Sequence, residues 1–387
     1  MRRSVLARAV DLDPMVPWLL SITLGDEVPD GVVHRFLAVP AAASPRLLLR
    51  SDRHRAGARA AWRQVSSTSW RSSVRRAALT GALLAGAARV APGRVVTWRA
   101  SPGPETVAAR IADLVGRPVE LVAVSLGPVR ANRKPVLQLA DRHGRDVAWA
   151  KLGRDPLTAR LVERERVALA EVGPALGGVH VPRLLGGGSW GGVQVLVTAP
   201  LPARSSRALA RATLVETVRA VHGTAGSTAQ VAPRLGDLVR HPRLADLAQL
   251  AARVDGTRHQ LRLGAWHGDL HAGNLGAARD GRAILWDWER WEAGVPLGAD
   301  LLHHDLQSWV VAGRMPRAAA AEALVRRAPE ILGPLGVGAA AAERVVVDYL
   351  VRLAARYVED RQPESGAAVG AVEQWIFPAL RGVLSER

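Results

Sequence analysis

The sequence has 387 residues and no cysteine, only two lysines, and few aromatics apart from twelve Trp: two Tyr and two Phe. Without cysteine there are no disulfides, thiolate zinc sites, iron–sulfur clusters or cysteine nucleophiles. No apolar run approaches the ~20 residues that a membrane span needs. The longest weakly charged stretch near the N-terminus, residues 77–88, falls well short of that. Met1-Arg2-Arg3-Ser4 opens like a secretory leader, but Asp11 and Asp13 interrupt it before an apolar centre forms. A cytoplasmic protein is therefore expected. No Gly period and no 20–50-residue repeat is visible, which excludes collagen-like and solenoid architectures. The apolar fraction of 48% is ample for real cores.

What is abundant is arginine. The formal charge is +17, and the two lysines, Lys134 and Lys151, stand against 50 Arg. That bias, with much Ala, Gly and Val, has the style of a GC-rich coding sequence. Where Arg serves, this chain uses Arg, so a retained Lys suggests a site that needs a compact ammonium. Residues 46–99 hold twelve Arg and one acid, Asp52. This segment reads first as a solvated helical face, second as a patch for phosphate or an anionic membrane surface, and last as a nucleic-acid arm. No zinc finger, RNA-binding signature or interleaved aromatic–basic pattern supports nucleic acid.

Three regions follow from composition and periodicity. Residues 1–105 read as a basic α/β module with strands near 32–40 and 46–50 and helices near 56–65 and 74–90. Ser101-Pro102-Gly103-Pro104 marks its end. Residues 106–200 read as a helix, strands at 121–126, 135–140 and 146–152, a helix at 156–172, and strands at 181–185 and 193–198. The glycine-rich run 186–192 joins the last two. That order is a small antiparallel sheet carrying one helix. Residues 201–387 read as mostly helical, at 207–221, 243–254, 316–332 and 339–357, interrupted by loop and short strand at 266–291.

The chemistry concentrates in that interruption. It reads His267-Gly268-Asp269-Leu270-His271-Ala272-Gly273-Asn274, and after an apolar strand Asp287-Trp288-Glu289. An Asp, an amide five residues on, and a second Asp past a hairpin suit magnesium-assisted phosphoryl transfer. The first accepts a hydroxyl proton; the others are hard oxygen ligands. Here the chain resembles aminoglycoside phosphotransferases and choline kinases, small-molecule relatives of the protein kinases, in an actinobacterial phosphotransferase-like branch. The resemblance covers about residues 106–387 and leaves the first hundred unexplained. It implies an α+β bilobal protein-kinase-like fold, with a sheet-based N-lobe for nucleotide, a helical C-lobe for catalysis, and the basic N-terminal module in addition.

The resemblance also implies roles. Asp269 matches the catalytic base, Asn274 a metal ligand, and Asp287 the metal-binding Asp of the Asp-Phe-Gly position. Lys151, on the third strand of the small sheet, matches the lysine that meets nucleotide phosphates. Glu165 is its expected helix partner, with Glu163 as the fallback. Thr198 and Ala199 match the interlobe hinge whose backbone meets adenine. Asp300 resembles the buried Asp that braces the catalytic loop. His267 reads as scaffold; His271 as either a substrate contact or a brace. The loop 125–133 departs from the pattern, with one glycine and no Gly-x-Gly. Ser125, Arg130, Asn132 or Arg133 would then contact phosphate instead. Lys134, before Pro135, reads as a turn residue.

Competing chemistry is weaker. His267 and His271 are four apart, as in zinc-binding helices, but Gly268 and Gly273 disfavour a helix. No Gly-x-Ser-x-Gly elbow is present. His303-His304-Asp305 reads as a helix end over the core. Trp286, Trp288 and Trp291 read as core and cleft wall, or as a cage for a quaternary amine. The expected activity is ATP- and Mg²⁺-dependent phosphorylation of a hydroxyl on a small molecule: a sugar, an amino alcohol or an aminoglycoside-like compound. Asp305, Glu322, Glu343, Asp348, Glu359 and Asp360 are spread among many Arg, so an acidic wall for an aminoglycoside is not favoured. The rival expectation is an inactive nucleotide-binding scaffold docked on a membrane or polysaccharide-synthesis complex.

Overall fold

The computed structural model describes residues 12–64, 70–88, 93–101, 103–127, 132–202, 209–224, 231–311, 313–360 and 371–385. The chain forms two compact units, the first mainly residues 12–163 and 184–200, the second mainly 164–183 and 201–385.

The first unit contains β1 (Glu27–Val39), β2 (Leu47–Arg50), β3 (Arg94–Ala100), β4 (Glu120–Ser125), β5 (Val136–Ala140) and β6 (Asp146–Gly153). After a short β7 (Val179–His180), which belongs to the second unit, β8 (Leu184–Trp190) and β9 (Val193–Thr198) complete its sheet. The eight strands are antiparallel in the order β3-β1-β2-β4-β5-β6-β9-β8. Side chains alternate across a strand, so two cores form. Phe36, Leu48, Leu137 and Ala150 face α1 (Met15–Leu24) and α4 (Val107–Val115), whose Leu19, Leu20 and Ile111 are buried. Leu37, Leu49 and Val122 face α2 (His54–Gln64) and α3 (Trp70–Leu84), through Ala58, Ala61, Leu79 and Leu83. Each fully buried Leu or Phe contributes about 1.5–3 kcal/mol. Thr106 starts α4 by accepting the Ala109 N–H, and Gly116, at φ 67°, ends it.

The expected separation near residue 105 is not what the strands do. Leu47, Leu48 and Leu49 of β2 pair with Ser125, Val124 and Ala123 of β4. All four residues of β2 are buried, and a strand buried on both faces needs a neighbour along each edge. The strands β1, β2 and β3 therefore extend the same sheet. The Pro/Gly/Ser stretch at 101–104 links β3 to α4 inside one unit. The run 186–192 also differs from expectation, because most of it is strand β8. Only Gly191 and Gly192 turn, both with positive φ (57° and 79°), the conformation that a two-residue hairpin favours. The central part of the 125–133 loop lies outside the described residues.

The second unit holds the end of α5 (Pro156–Ala175), then α6 (Arg211–His222), α7 (Leu235–Leu238), α8 (Ala248–Gly256), α9 (Ala299–Val311), α10 (Arg317–Leu332), α11 (Ala339–Glu359) and α12 (Ile376–Ser385). Short strands interrupt the helices: β10 (Leu263–Trp266), β11 (Leu275–Ala277), β12 (Ala283–Leu285) and β13 (Glu292–Pro296). β10 pairs with β13, and β11–β12 is a hairpin alongside β7. Among the described residues no helix is long and apolar enough to cross a membrane.

Candidate active site

The loop from Trp266 to Asn274 leaves β10 and is fastened from below. Asp300, in the first turn of α9, accepts the backbone N–H of His267 (2.7 Å) and of Gly268 (3.0 Å) on its two carboxylate oxygens. Burial pushes the Asp300 carboxyl up to about 6 against the pull of those two N–H groups. The bracing role that the resemblance implies for Asp300 thus corresponds to two hydrogen bonds. Gly268 is required at the bend: its φ is 80°, and a Cβ there would lie 2.4 Å from the Arg290 carbonyl oxygen. The Gly268 carbonyl accepts from Arg356 Nη1 at 2.6 Å.

His267 is scaffold, as expected. It is fully buried, its Nδ1 accepts the Asp269 N–H (3.3 Å), and its Nε2–H donates to the Trp286 carbonyl (3.1 Å). Burial lowers its pKa to about 4, so the ring is neutral at pH 7. The two bonds use one acceptor and one donor nitrogen, which fits that neutral form. The arrangement ties the loop to the strand end that carries Asp287. No His267–His271 zinc pair forms, because each ring is committed to its own loop contacts.

Asp269 sits in a ring of donors. Asn274 Nδ2 donates to its carboxylate Oδ2 (2.9 Å) and to its backbone carbonyl (3.0 Å). His271 Nε2 lies 3.6 Å from Oδ2, and Arg356 Nη1 3.8 Å from Oδ1. His303 Nε2 lies 3.1 Å from Oδ1. A carboxylate only accepts, so this His303 nitrogen carries the proton, and Nδ1 accepts from the Tyr349 hydroxyl at 3.0 Å. Burial lowers the His303 pKa to about 4, which keeps the ring neutral. Burial alone would raise Asp269, yet the His271 and His303 contacts outweigh it and hold the carboxyl well below the usual range. About a third of its side chain (35%) remains exposed, so a solute can still reach it.

His271 has Nδ1 occupied by the Gly273 N–H (2.9 Å), so the neutral ring presents Nε2–H toward Asp269. Burial lowers its pKa, but Asp269 and Asp287 together raise it further.

Asn274 is buried. Its amide nitrogen spends its hydrogens on Asp269, which leaves the amide oxygen as its remaining ligand atom. The β11–β12 hairpin pairs Leu275 with Leu285, and Trp286 N–H donates to the Asn274 carbonyl (3.2 Å). Sequence-distant Asn274 and Asp287 are thereby brought to the same end of one hairpin. Asp287 has φ 73°, the one positive φ outside glycine among the described residues. Such a conformation costs of order 1–3 kcal/mol and collects at functional sites. Carboxylate oxygens of Asp287, Glu289 and Glu165 lie within 4.8 Å of one another. These are hard oxygen donors of the kind Mg²⁺ takes. Glu289 and the placement of Glu165 in this cluster were not read from the sequence, although Glu289 is the third letter of Asp-Trp-Glu.

Lys151, Thr198 and Ala199 lie in the first unit. Lys151 pairs with Leu196 and Val136 in the middle of the sheet, flanked by Ala150 and Leu152, which face the α1/α4 core. Thr198 is the last residue of β9, and Ala199 follows it. Arg133 is corrected as a phosphate contact. Its guanidinium is buried, bonded to Asp13 (2.9 Å) and to the Leu126 and Pro45 carbonyls. It clamps the sheet's loops instead.

His303 is a contact of Asp269 that the sequence reading missed. The His303-His304-Asp305 run lies within α9 and does not end it. The available signal was spacing: Asp300 and His303 are three apart on one helix and so share a face. Three acids considered for a cationic wall are already matched. Asp305 pairs with Arg211, Asp348 with Arg352 and Arg258, and Asp360 with Arg290.

No protein-family model matches the chain, and no curated protein matches it. Solved structures do. Choline kinase LicA from Streptococcus pneumoniae aligns at 13% identity over 72% of this chain and 98% of its own, with a TM-score of 0.48. A candidate fructosamine-3-kinase from Haemophilus somnus 129PT aligns at 15%, over 71% and 96%, with 0.44. A thermostable mutant of aminoglycoside phosphotransferase APH(4)-Ia, with ADP and hygromycin B, aligns at 12%, over 70% and 98%, with 0.43. These likenesses concern the fold; the chemistry of this chain rests on its own residues.

Proposed function

We propose that the protein is a phosphotransferase that moves the terminal phosphate of ATP to a hydroxyl of a small molecule. One observation carries the reading: Asp269 and Asn274 are bonded to each other, and one hairpin brings Asn274 to Asp287. Asp269 accepts the hydroxyl's hydrogen bond and aims its oxygen at the phosphorus. A carboxylate held so far below neutrality stores a proton poorly. Asp269 therefore takes the proton only as the new O–P bond forms and the bond to the leaving ADP oxygen breaks, and passes it to solvent as the products leave. Asn274 and Asp287, with Glu289 beside them, would hold Mg²⁺. The ion would neutralise charge on the phosphates. Lys151 is assigned to the nucleotide phosphates, Glu165 to its counter-charge, and the Thr198–Ala199 backbone to adenine. Phosphoryl transfer asks for positioning and charge stabilisation, which this donor ring supplies.

The test is ADP release with Mg²⁺ across a panel of sugars, amino alcohols and aminoglycosides. Wild type should turn over at least one of them, and Asp269→Asn should lose about 10²–10⁴-fold. Nucleotide binding with no turnover on any acceptor would replace this reading with the inactive scaffold.

A further inference from the structure

We infer that the outer face of the α2–α3 helix pair is a docking surface for an anionic lipid bilayer. Both helices lie on one face of the first unit's sheet, anchored by Ala58, Ala61, Leu79 and Leu83. Their opposite faces are therefore turned away from the sheet. On α3 that face reads Val74, Ala77, Ala78, Gly81 and Leu84, all exposed, at helical spacing. Val74 is 57% and Leu84 56% exposed, among the most exposed large apolar residues described. On α2 the outer face carries Arg55, Arg59 and Trp62, the last 52% exposed. Arg76 of α3 lies over the Trp62 ring at 4.1 Å and joins the two helices at the surface.

Charge selects the partner. Residues 54–84 contain six Arg and no acid. The acids that reach this layer are already matched: Asp146 by Arg63 at 2.6 Å, Asp52 by Arg50 at 2.6 Å. A second copy docked through a two-fold axis would set Arg55 and Arg75 against their own images with no acid to answer them. A nucleic acid would answer the arginines but leave Val74 and Leu84 in water. A bilayer rich in anionic headgroups satisfies both: guanidinium groups meet phosphates while aliphatic side chains and an interfacial Trp enter the acyl boundary. This inference stands apart from the catalytic reading, since none of these residues belongs to the catalytic loop.

The experiment is cosedimentation of the full chain with phosphatidylcholine vesicles, with and without phosphatidylglycerol. Binding should require phosphatidylglycerol and weaken steeply with salt, because exposed charges are screened over about 10 Å at 0.1 M. Arg55→Glu with Arg75→Glu should weaken it by roughly tenfold or more. Val74→Ser with Leu84→Ser should weaken it by a similar factor, roughly tenfold, without changing the salt dependence. All four positions are exposed, so circular dichroism should match wild type. Equal retention on vesicles without phosphatidylglycerol would overturn the inference. So would duplex DNA binding that the serine variant leaves intact while vesicle binding is absent. A concentration-dependent dimer abolished by Leu84→Ser, again without vesicle binding, would assign the face to a second copy.

Discussion

Asp269 owes its orientation to residues outside its linear motif. The motif names Asp269, Asn274 and Asp287; the structure bonds Asn274 to Asp269 and brings Asp287 to the same hairpin end as Asn274. His303 and Tyr349 were not legible, since they come from α9 and α11 and meet Asp269 only through packing. The chain His303–Tyr349 holds Oδ1 by one charge-assisted bond. Such a bond to an ionised group contributes about 1.5–3 kcal/mol, equivalent to roughly 10–10²-fold in rate if it is felt in the transition state. His303→Ala should lower kcat by that factor with little change in the KM for ATP. Tyr349→Phe should do so more weakly, and His303→Gln should recover part of the loss by restoring a donor. Equal losses in all three, tracking a fall in thermal stability, would make the pair merely structural. Asp300→Ala removes the acceptor of two buried N–H groups, at about 1–3 kcal/mol each. Its thermal unfolding midpoint should fall clearly, with activity lost through the loop.

Elements that form an apolar run between turns or carry a helical period were legible, and those with neither were not. β5, β6 and β9 are short, mostly buried apolar runs, and α10 and α11 carry the helical period. β8 has three glycines in the middle of its seven residues, so no side chains alternate across its centre. β3 begins just after a Pro-Gly stop and puts Val95 and Val96 side by side. α1 is apolar almost throughout and shows no face. The loop from Trp266 to Asn274 stands out in the sequence by its residues, but its shape depends on Gly268. Gly268→Ala would press a Cβ against the Arg290 carbonyl and force an unfavourable φ. Turnover should drop by more than tenfold, roughly what a 1 Å misplacement costs or less. Far-ultraviolet dichroism should remain native; turnover equal to wild type would show that the bend tolerates a side chain.

At the scale of the whole molecule, the shift to helical periodicity after about residue 200 was legible, but the inclusion of residues 164–183 in the second unit was not. The sharing of one sheet by residues 27–198 was not, because pairing between strands as distant as those of Leu47 and Ser125 leaves no local mark. Titration adds a prediction at this scale. Burial lowers His267 and His303 from 6.5 to about 4. Between those values the unfolded chain binds more protons, so their stabilisation is full above pH 6.5 and is lost as pH falls toward 4. Asp300, raised to about 6, acts in the opposite sense between pH 6 and 3.8. Two groups outweigh one, so the unfolding midpoint should fall between pH 7 and 5; a midpoint flat or rising over that range would show that the histidines are not buried neutral. The central claim, that Asp269 and Asp287 share one site but do different work, is tested most directly by calorimetry of ATP binding with and without Mg²⁺, beside turnover. Asp269→Asn should bind Mg²⁺·ATP like wild type and lose transfer. Asp287→Asn should bind it more weakly and recover partly at high Mg²⁺, because a hard cation prefers an anionic oxygen. Full turnover by Asp269→Asn, or wild-type Mg²⁺·ATP binding by Asp287→Asn, would contradict the account.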